Sequence, residues 1–334
     1  MHRVRSHPVV VILAVALVAG CGGAASPSPS TGLATPPAPG ASVATALPTI
    51  SPTPASTPAG TPTPVPTAVS SPNPTAAPTP ASAGFIAVSV GNLSICAIRT
   101  DGTLACWGDN AFGQATPPAG TFVAVSAGEA HTCAIRTDGT LACWGEGWEG
   151  RMTPPAGRFI TVSVGGGHGC AIRTDGTLAC WVENGGENTY GQASPPAGPS
   201  TALSAGPFDT CAVMFYGALA CWGDNEQGQA APPAGTFTAV SAGGSHSCAI
   251  QTDGTLTCWG DQYRERPFLP DGTFIAVSAG DDHACAIRTD GTLACWSPFY
   301  GALATPPAGR FVAVSAWHQT CAIRADGTLA CWGP

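Results

Sequence analysis

Residues 96–108 read CAIRTDGTLACWG: Cys96 and Cys106 enclose a turn signal, and Trp107 follows the second cysteine directly. The loop Thr100–Asp101–Gly102 suits a type I turn closed by a glycine in the left-handed region, a common three-residue hairpin. Folding about that loop sets Arg99 against Thr103, Ile98 against Leu104, Ala97 against Ala105 and Cys96 against Cys106. Counted outward from the hydrogen-bonded pair beside the loop, the cysteines fall at a non-hydrogen-bonded position. Cα atoms there lie ~4.5 Å apart, at the short end of what a disulfide accepts. The spacing predicts a disulfide inside one hairpin, worth about 2.7 kcal/mol in the chain-entropy description.

The pair recurs. Cys133/Cys143, Cys170/Cys180, Cys211/Cys221, Cys248/Cys258, Cys285/Cys295 and Cys321/Cys331 keep the same separation although the intervening segments differ in length. Each pair belongs to a unit of about 37 residues, seen most fully in TFVAVSAGEAHTCAIRTDGTLACWGEGWEGRMTPPAG (121–157). FVAVSA, HTCAIR and TLACW read as strands by alternation and β-branched content. A remainder of the type GQATPP reads as a short fourth strand. Seven such sets predict an all-β, seven-bladed β-propeller over 84–334.

Gly128, His131, Gly139, Trp144 and Gly145, with Asn110, Gly113 and Gln114 in the first copy, resemble the regulator of chromosome condensation (RCC-type) repeat family. That resemblance covers the whole repeated region and implies a propeller, although these units are short and their regular cysteines depart from the eukaryotic pattern. The family's guanine nucleotide exchange and chromatin binding do not suit an exported, acidic chain. The last copy stops at CWGP, and PTPASAG before the first echoes the end of the others. Residues around Pro78–Gly84 are therefore expected to supply a missing fourth strand and close the ring.

The fifteenth cysteine, Cys21, stands apart. Two arginines in MHRVRSH precede the apolar run PVVVILAVALVA, too short for a membrane span of ~20 residues and suited to a secretory signal. Ala19 and Gly20 before Cys21 resemble a bacterial lipoprotein signal, with 1–20 removed and Cys21 lipidated; an ordinary signal peptide cut nearby is the alternative. Residues 22–83 hold no charged side chain and are mostly Pro, Thr, Ser and Ala. Such a composition stays unfolded, so 21–83 reads as a lipidated, disordered linker holding the propeller outside the cell membrane. Export places the cysteines in an oxidising compartment.

Zinc is the rival explanation of the cysteines. His131 lies two residues before Cys133 on the same face, and His168, His246 and His283 repeat the arrangement. Ser94, Asp209 and Gln319 occupy that position in copies one, four and seven, yet both cysteines persist. The histidines are therefore read as hydrogen-bonded structural groups, and no metal or cofactor is expected. Trp107, Trp144, Trp181, Trp222, Trp259, Trp296 and Trp332 recur in every copy and are read as packing between blades. No nucleophile, base and orienting group stand together, so the chain is read as no enzyme.

In an up-and-down blade the TDGT and PPAG segments emerge on one side of the disc. They are nearly constant. Segments on the other side vary from copy to copy, and recognition of an asymmetric partner needs such variation. Charge divides in the same way. Of twenty acids, thirteen fall on the variable side against only Arg151, Arg264 and Arg266. On the constant side Asp101, Asp138, Asp175, Asp253, Asp271, Asp290 and Asp326 are matched by Arg99, Arg136, Arg158, Arg173, Arg288, Arg310 and Arg324. Candidate binding residues on the variable side are Trp148, Tyr190, Phe208, Tyr263, Arg264, Arg266, Phe268, Asp281, Asp282, Phe299, Tyr300 and Trp317. The expected activity is non-catalytic binding of a protein or envelope polymer of basic character, steered by the acidic face. Loop acids serving solubility alone are the bland alternative for that charge. Inhibition of a secreted enzyme, or an envelope hydrolase or lyase with a loop-built site, are the other functional readings. A net charge of −8 and the absence of lysine argue against nucleic acid as a partner.

Overall fold

A computed structural model describes residues 84–145, 153–182, 188–260, 269–297 and 305–333. Cys21 and the segment 21–83 lie outside them. The described residues form seven antiparallel sheets, each of three consecutive strands. In the first blade these are β1 (Phe85–Val90), β2 (Ser94–Arg99) and β3 (Leu104–Gly108). The middle strand is buried almost throughout, with Cys96, Ala97 and Ile98 fully enclosed. A strand covered on both faces reads as a continuous apolar run, as ICAI does.

The hairpin register is the expected one in all seven copies. Cys96 faces Cys106, Cys133 faces Cys143, Cys170 faces Cys180 and Cys211 faces Cys221. Cys248 faces Cys258, Cys285 faces Cys295 and Cys321 faces Cys331. A disulfide joins each of these seven pairs, with Cα–Cα distances of 4.0–4.1 Å. The two sulfurs of a pair differ in surroundings, a difference that the spacing alone does not express. The first cysteine sits on the enclosed middle strand and is fully buried in every blade. The second sits on the outer strand, where Cys106, Cys143, Cys180, Cys221, Cys258 and Cys295 are only half-buried and Cys331 is exposed.

Gly102 at the hairpin tip has φ 83°, the left-handed conformation the turn requires. Asp101 Oδ1 accepts from both the backbone N–H and the hydroxyl of Thr103, at 2.9 and 2.7 Å. The hydroxyl bond, then the backbone bond, holds the Asp101 carboxyl below its ordinary range.

Among the described residues no blade forms a fourth strand. After β3 the chain turns on its own side chains. Asn110 Oδ1 accepts from Ala115 N–H at 3.0 Å, Gln114 Oε1 from Phe112 N–H at 3.0 Å, and Asp109 Oδ2 from Gln114 Nε2 at 3.2 Å. Such local bonds compete with a ladder, and the prolines that follow have no N–H to offer one. Of the segment Pro78–Gly84, expected to supply a closing strand, residues 78–83 lie outside the described residues.

Closure uses the junction found between every other pair of blades. First strands of neighbouring blades lie side by side around the axis. The backbone N–H of Ala127 donates to Ser89 Oγ of the preceding blade at 2.9 Å. Equivalent bonds join Val164 to Ser126, Ala205 to Ser163, Ala242 to Ser204, Ala279 to Ser241, and Ala316 to Ser278. Val90 N–H donates to Ser315 Oγ at 2.9 Å and completes the circle. Phe85 N–H donates to Gly327 O, as Phe122 N–H does to Gly102 O. The seam is an ordinary junction.

Candidate functional site

The two sides of the disc are built by different chemistry. On the constant side the guanidinium of Arg136 lies 5.2 Å from the ring centroid of Phe122, and Arg173/Phe159, Arg288/Phe274 and Arg324/Phe311 repeat the stack. Arg136 Nη1 also donates to Ala119 O at 3.2 Å. Asp101, Asp138, Asp175, Asp253, Asp290 and Asp326 meanwhile are engaged by threonines in their own tips. Arginine and aspartate thus fix the turns of this face separately. Blade four departs, with Ser200 for the phenylalanine, Met214 for the arginine, and Phe215 and Tyr216 exposed at the tip.

On the variable side the loops after each first strand lean on one another: Asn92 N–H donates to Gly128 O, Gly166 N–H to Pro207 O, and Gly244 N–H to Gly280 O. These backbone bonds brace loops whose irregular side chains face outward. Phe208 and Tyr190, from adjacent blades, are each about half exposed. Their ring centroids stand 5.9 Å apart with planes inclined by 56°. Asp281 and Asp282 sit in the corresponding loop of blade six, where Asp281 Oδ2 is 3.6 Å from His318 Nδ1. Trp317 is half-buried against the cluster of Val90, Ile95 and Cys321, so its indole is partly structural. Trp148, Tyr263, Arg264, Arg266, Phe268, Phe299 and Tyr300 lie outside the described residues. Phe112 and Leu93, both about half exposed on this side, join the candidates. Phe112 was legible in principle: AFGQ occupies the place of TYGQ, which carries Tyr190.

The recurring histidines are structural. His168 Nε2 bonds Thr210 Oγ1 of the next blade at 2.8 Å, and His283 Nε2 bonds Thr320 Oγ1 at 2.7 Å. Burial holds the imidazoles of His131, His168 and His246 down at about 4, so they are neutral at physiological pH. With Asp282 Oδ1 3.2 Å from His283 Nδ1, the chain Asp282–His283–Thr320 has the connectivity of a nucleophile triad. Thr320 is only 1% exposed, however, and no substrate reaches its hydroxyl. Among the described residues no group of three or more His, Cys, Asp or Glu side chains could hold a metal ion. Asp209 replaces the histidine in blade four; it is buried, and burial, then the charge of Asp224, pushes its carboxyl up to about 8. The tryptophans after each hairpin tie blades together: Trp144, Trp222 and Trp259 donate their Nε1–H to the carbonyls of Gln114, Gln192 and Gln229 in the preceding copy.

A propeller of hairpin repeats with one uniform and one irregular face is the class defined by this geometry. The regulator of chromosome condensation (RCC1) repeat model matches residues 85–114, 122–148, 237–264 and 274–297, so the chain carries repeats of this type. Among solved structures it is similar to the entire ectodomain of the Physcomitrella patens receptor kinase CR4 (23% identity, TM-score 0.64, covering 75% of this chain and 74% of that one). The CRINKLY WD40 ectodomain of the Arabidopsis thaliana receptor kinase ACR4 is similar at 22% identity and TM-score 0.61, over 75% and 96% of the two chains. Prp20p from Saccharomyces cerevisiae, studied for binding to Gsp1p and histones, is similar at 15% identity and TM-score 0.58, over 71% and 81%. At these identities the likeness concerns the fold. No curated protein matches the chain by sequence.

Proposed function

We propose that the protein is an exported, lipid-anchored binding propeller, without catalytic activity, whose variable face recognises a protein or envelope polymer of basic character. The observation that carries this reading is the asymmetry of the disc. One side spends most of its arginines and aspartates on its own turns, whereas the other holds exposed side chains such as Phe208 and Asp281 that have no counterpart in most of the described blades. The Tyr190–Phe208 pair supplies apolar anchorage, and Asp281 and Asp282 supply attraction that steers a basic partner. Seven disulfides suit an oxidising compartment. Signal residues 1–20, lipidation at Cys21 and a flexible segment to 83 would place the propeller outside the cell membrane. A protein partner also accords with the yeast relative, which binds proteins.

Poly-L-lysine on a biosensor surface is the test probe. Wild type is expected to bind at low salt and weaken steeply as salt screens the face. Asp281→Asn with Asp282→Asn, and Tyr190→Ala with Phe208→Ala, should each weaken binding roughly fivefold, about 1 kcal/mol. Asp101→Asn with Asp138→Asn on the constant side should leave it unchanged. Equal losses from the two sides would refute the assignment.

A further inference from the structure

Tyr190 of blade three and Phe208 of blade four meet across their junction, and among the described residues no other such aromatic contact joins two blades. Phe112 holds the place of Tyr190 in blade one, but Ala130 stands where a second ring would answer it. Both rings are fixed from beneath. Tyr190 N–H donates to Oε1 of the buried Gln192 at 3.2 Å, and the carbonyl of Gln192 takes the Nε1–H of Trp222 at 2.8 Å. Phe208 O accepts from Asp224 N–H at 2.9 Å, and Pro207 O accepts from Gly166 N–H at 3.1 Å. With centroids 5.9 Å apart, planes inclined by 56° and each ring about half exposed, the pair makes an open aromatic corner. A cation within ~6 Å of a ring centroid is attracted by the negative face of the ring. At this spacing one cation can be in range of both rings.

Charge favours the same occupant. Two carboxyl groups flank Phe208: Asp209 follows it in sequence, and Asp224 is joined to it by the backbone bond. The charge of Asp224 disfavours a second negative charge at Asp209, an imbalance that a cation nearby relieves. Every arginine among the described residues lies on the constant side, so none competes for the corner.

We infer that the Tyr190–Phe208 corner is a binding site for an alkylated ammonium cation, of the kind carried by a methylated lysine side chain on the partner. Aromatic faces attract such a head, and its methyl groups shed the hydration that a bare lysine ammonium keeps. Phosphocholine carries the same head, but its phosphate would be driven toward the acids of this face and is disfavoured. The inference rests on the reading of the variable face as a surface for a basic partner, and names the group recognised there.

Ligand-observed proton NMR with the full chain tests it, using Nα-acetyl-Nε-trimethyl-lysine amide and choline as probes. Their N-methyl resonances should move upfield, since ring faces shield what lies over them, and saturate with a dissociation constant of about 1 mM. Phosphocholine, and the uncharged isostere of choline in which carbon replaces nitrogen, should bind at least tenfold more weakly. Phe208→Leu and Tyr190→Leu keep bulk and remove a ring face, so each should weaken choline at least fivefold with an unchanged melting temperature. Phe112→Leu should leave the shift as it is. Equal binding of choline and its isostere, tighter binding of phosphocholine, or indifference to both corner variants would overturn the inference. Poly-L-lysine captured by a chain that shifts neither cation would overturn it too, while sparing the wider reading of the face. A cation shift without capture of poly-L-lysine would uphold the corner and reject that wider reading.

Discussion

Val90 in the first blade and Ser315 in the last are 225 residues apart in sequence, yet the backbone N–H of one donates to the hydroxyl of the other at 2.9 Å. The bond is the same as the six that join the remaining blades. Ser315→Ala removes one acceptor and should cost about 1 kcal/mol, or roughly 2–4 °C in melting temperature for a domain of this size. Ser126→Ala, at an internal junction, should cost the same. A much larger loss for Ser315→Ala would mean that the seam is a special latch.

Asp209 is out of keeping with its neighbours. Neither of its carboxylate oxygens has a hydrogen-bond partner, and its carboxyl is pushed up to about 8 by burial first and by Asp224 second. The folded protein therefore binds a proton that the unfolded chain releases near its ordinary value of 3.8. Between those limits rising pH favours unfolding. Asp209→Asn keeps the shape and removes the charge, so it should raise the melting temperature at pH 7.5 and leave it unchanged at pH 3.5. Thermal melts across that range check the sign.

The buried histidines act in the opposite sense. His131, His168 and His246 are held down at about 4, by burial in the first place, against an unfolded value of 6.5. The unfolded chain binds protons sooner, so the stability they confer is present above pH 6.5 and is lost as pH falls toward 4. Blade seven already uses Gln319 at this position. The triple change His131→Gln, His168→Gln and His246→Gln should flatten the decline in melting temperature between pH 6.5 and 4, whatever it does to the value at pH 7.5.

The hairpins were legible because Cys96 and Cys106, with Gly102 between them, leave a single low-strain register. The uniform and irregular faces were legible because TDGT repeats while GPFD and GDD do not. The missing strand was not legible from alternation alone. Asn110 and Gln114 spend their amides on the backbone of their own turn, and that competition is settled by geometry. The serine circle was hidden for another reason. Ser89 and its equivalents look like ordinary alternating strand residues, and their acceptors' purpose emerges only when first strands from different blades are brought side by side. The exposure of Ile86 and its equivalents was masked likewise, since a bulge breaks the period of two from which exposure is read.

The most direct test is peptide mapping of the unreduced protein by mass spectrometry. The account predicts seven disulfides, each joining cysteines ten positions apart within one hairpin, and no free thiol among those fourteen residues. Linkages between blades, or thiols that react without reductant, would contradict it.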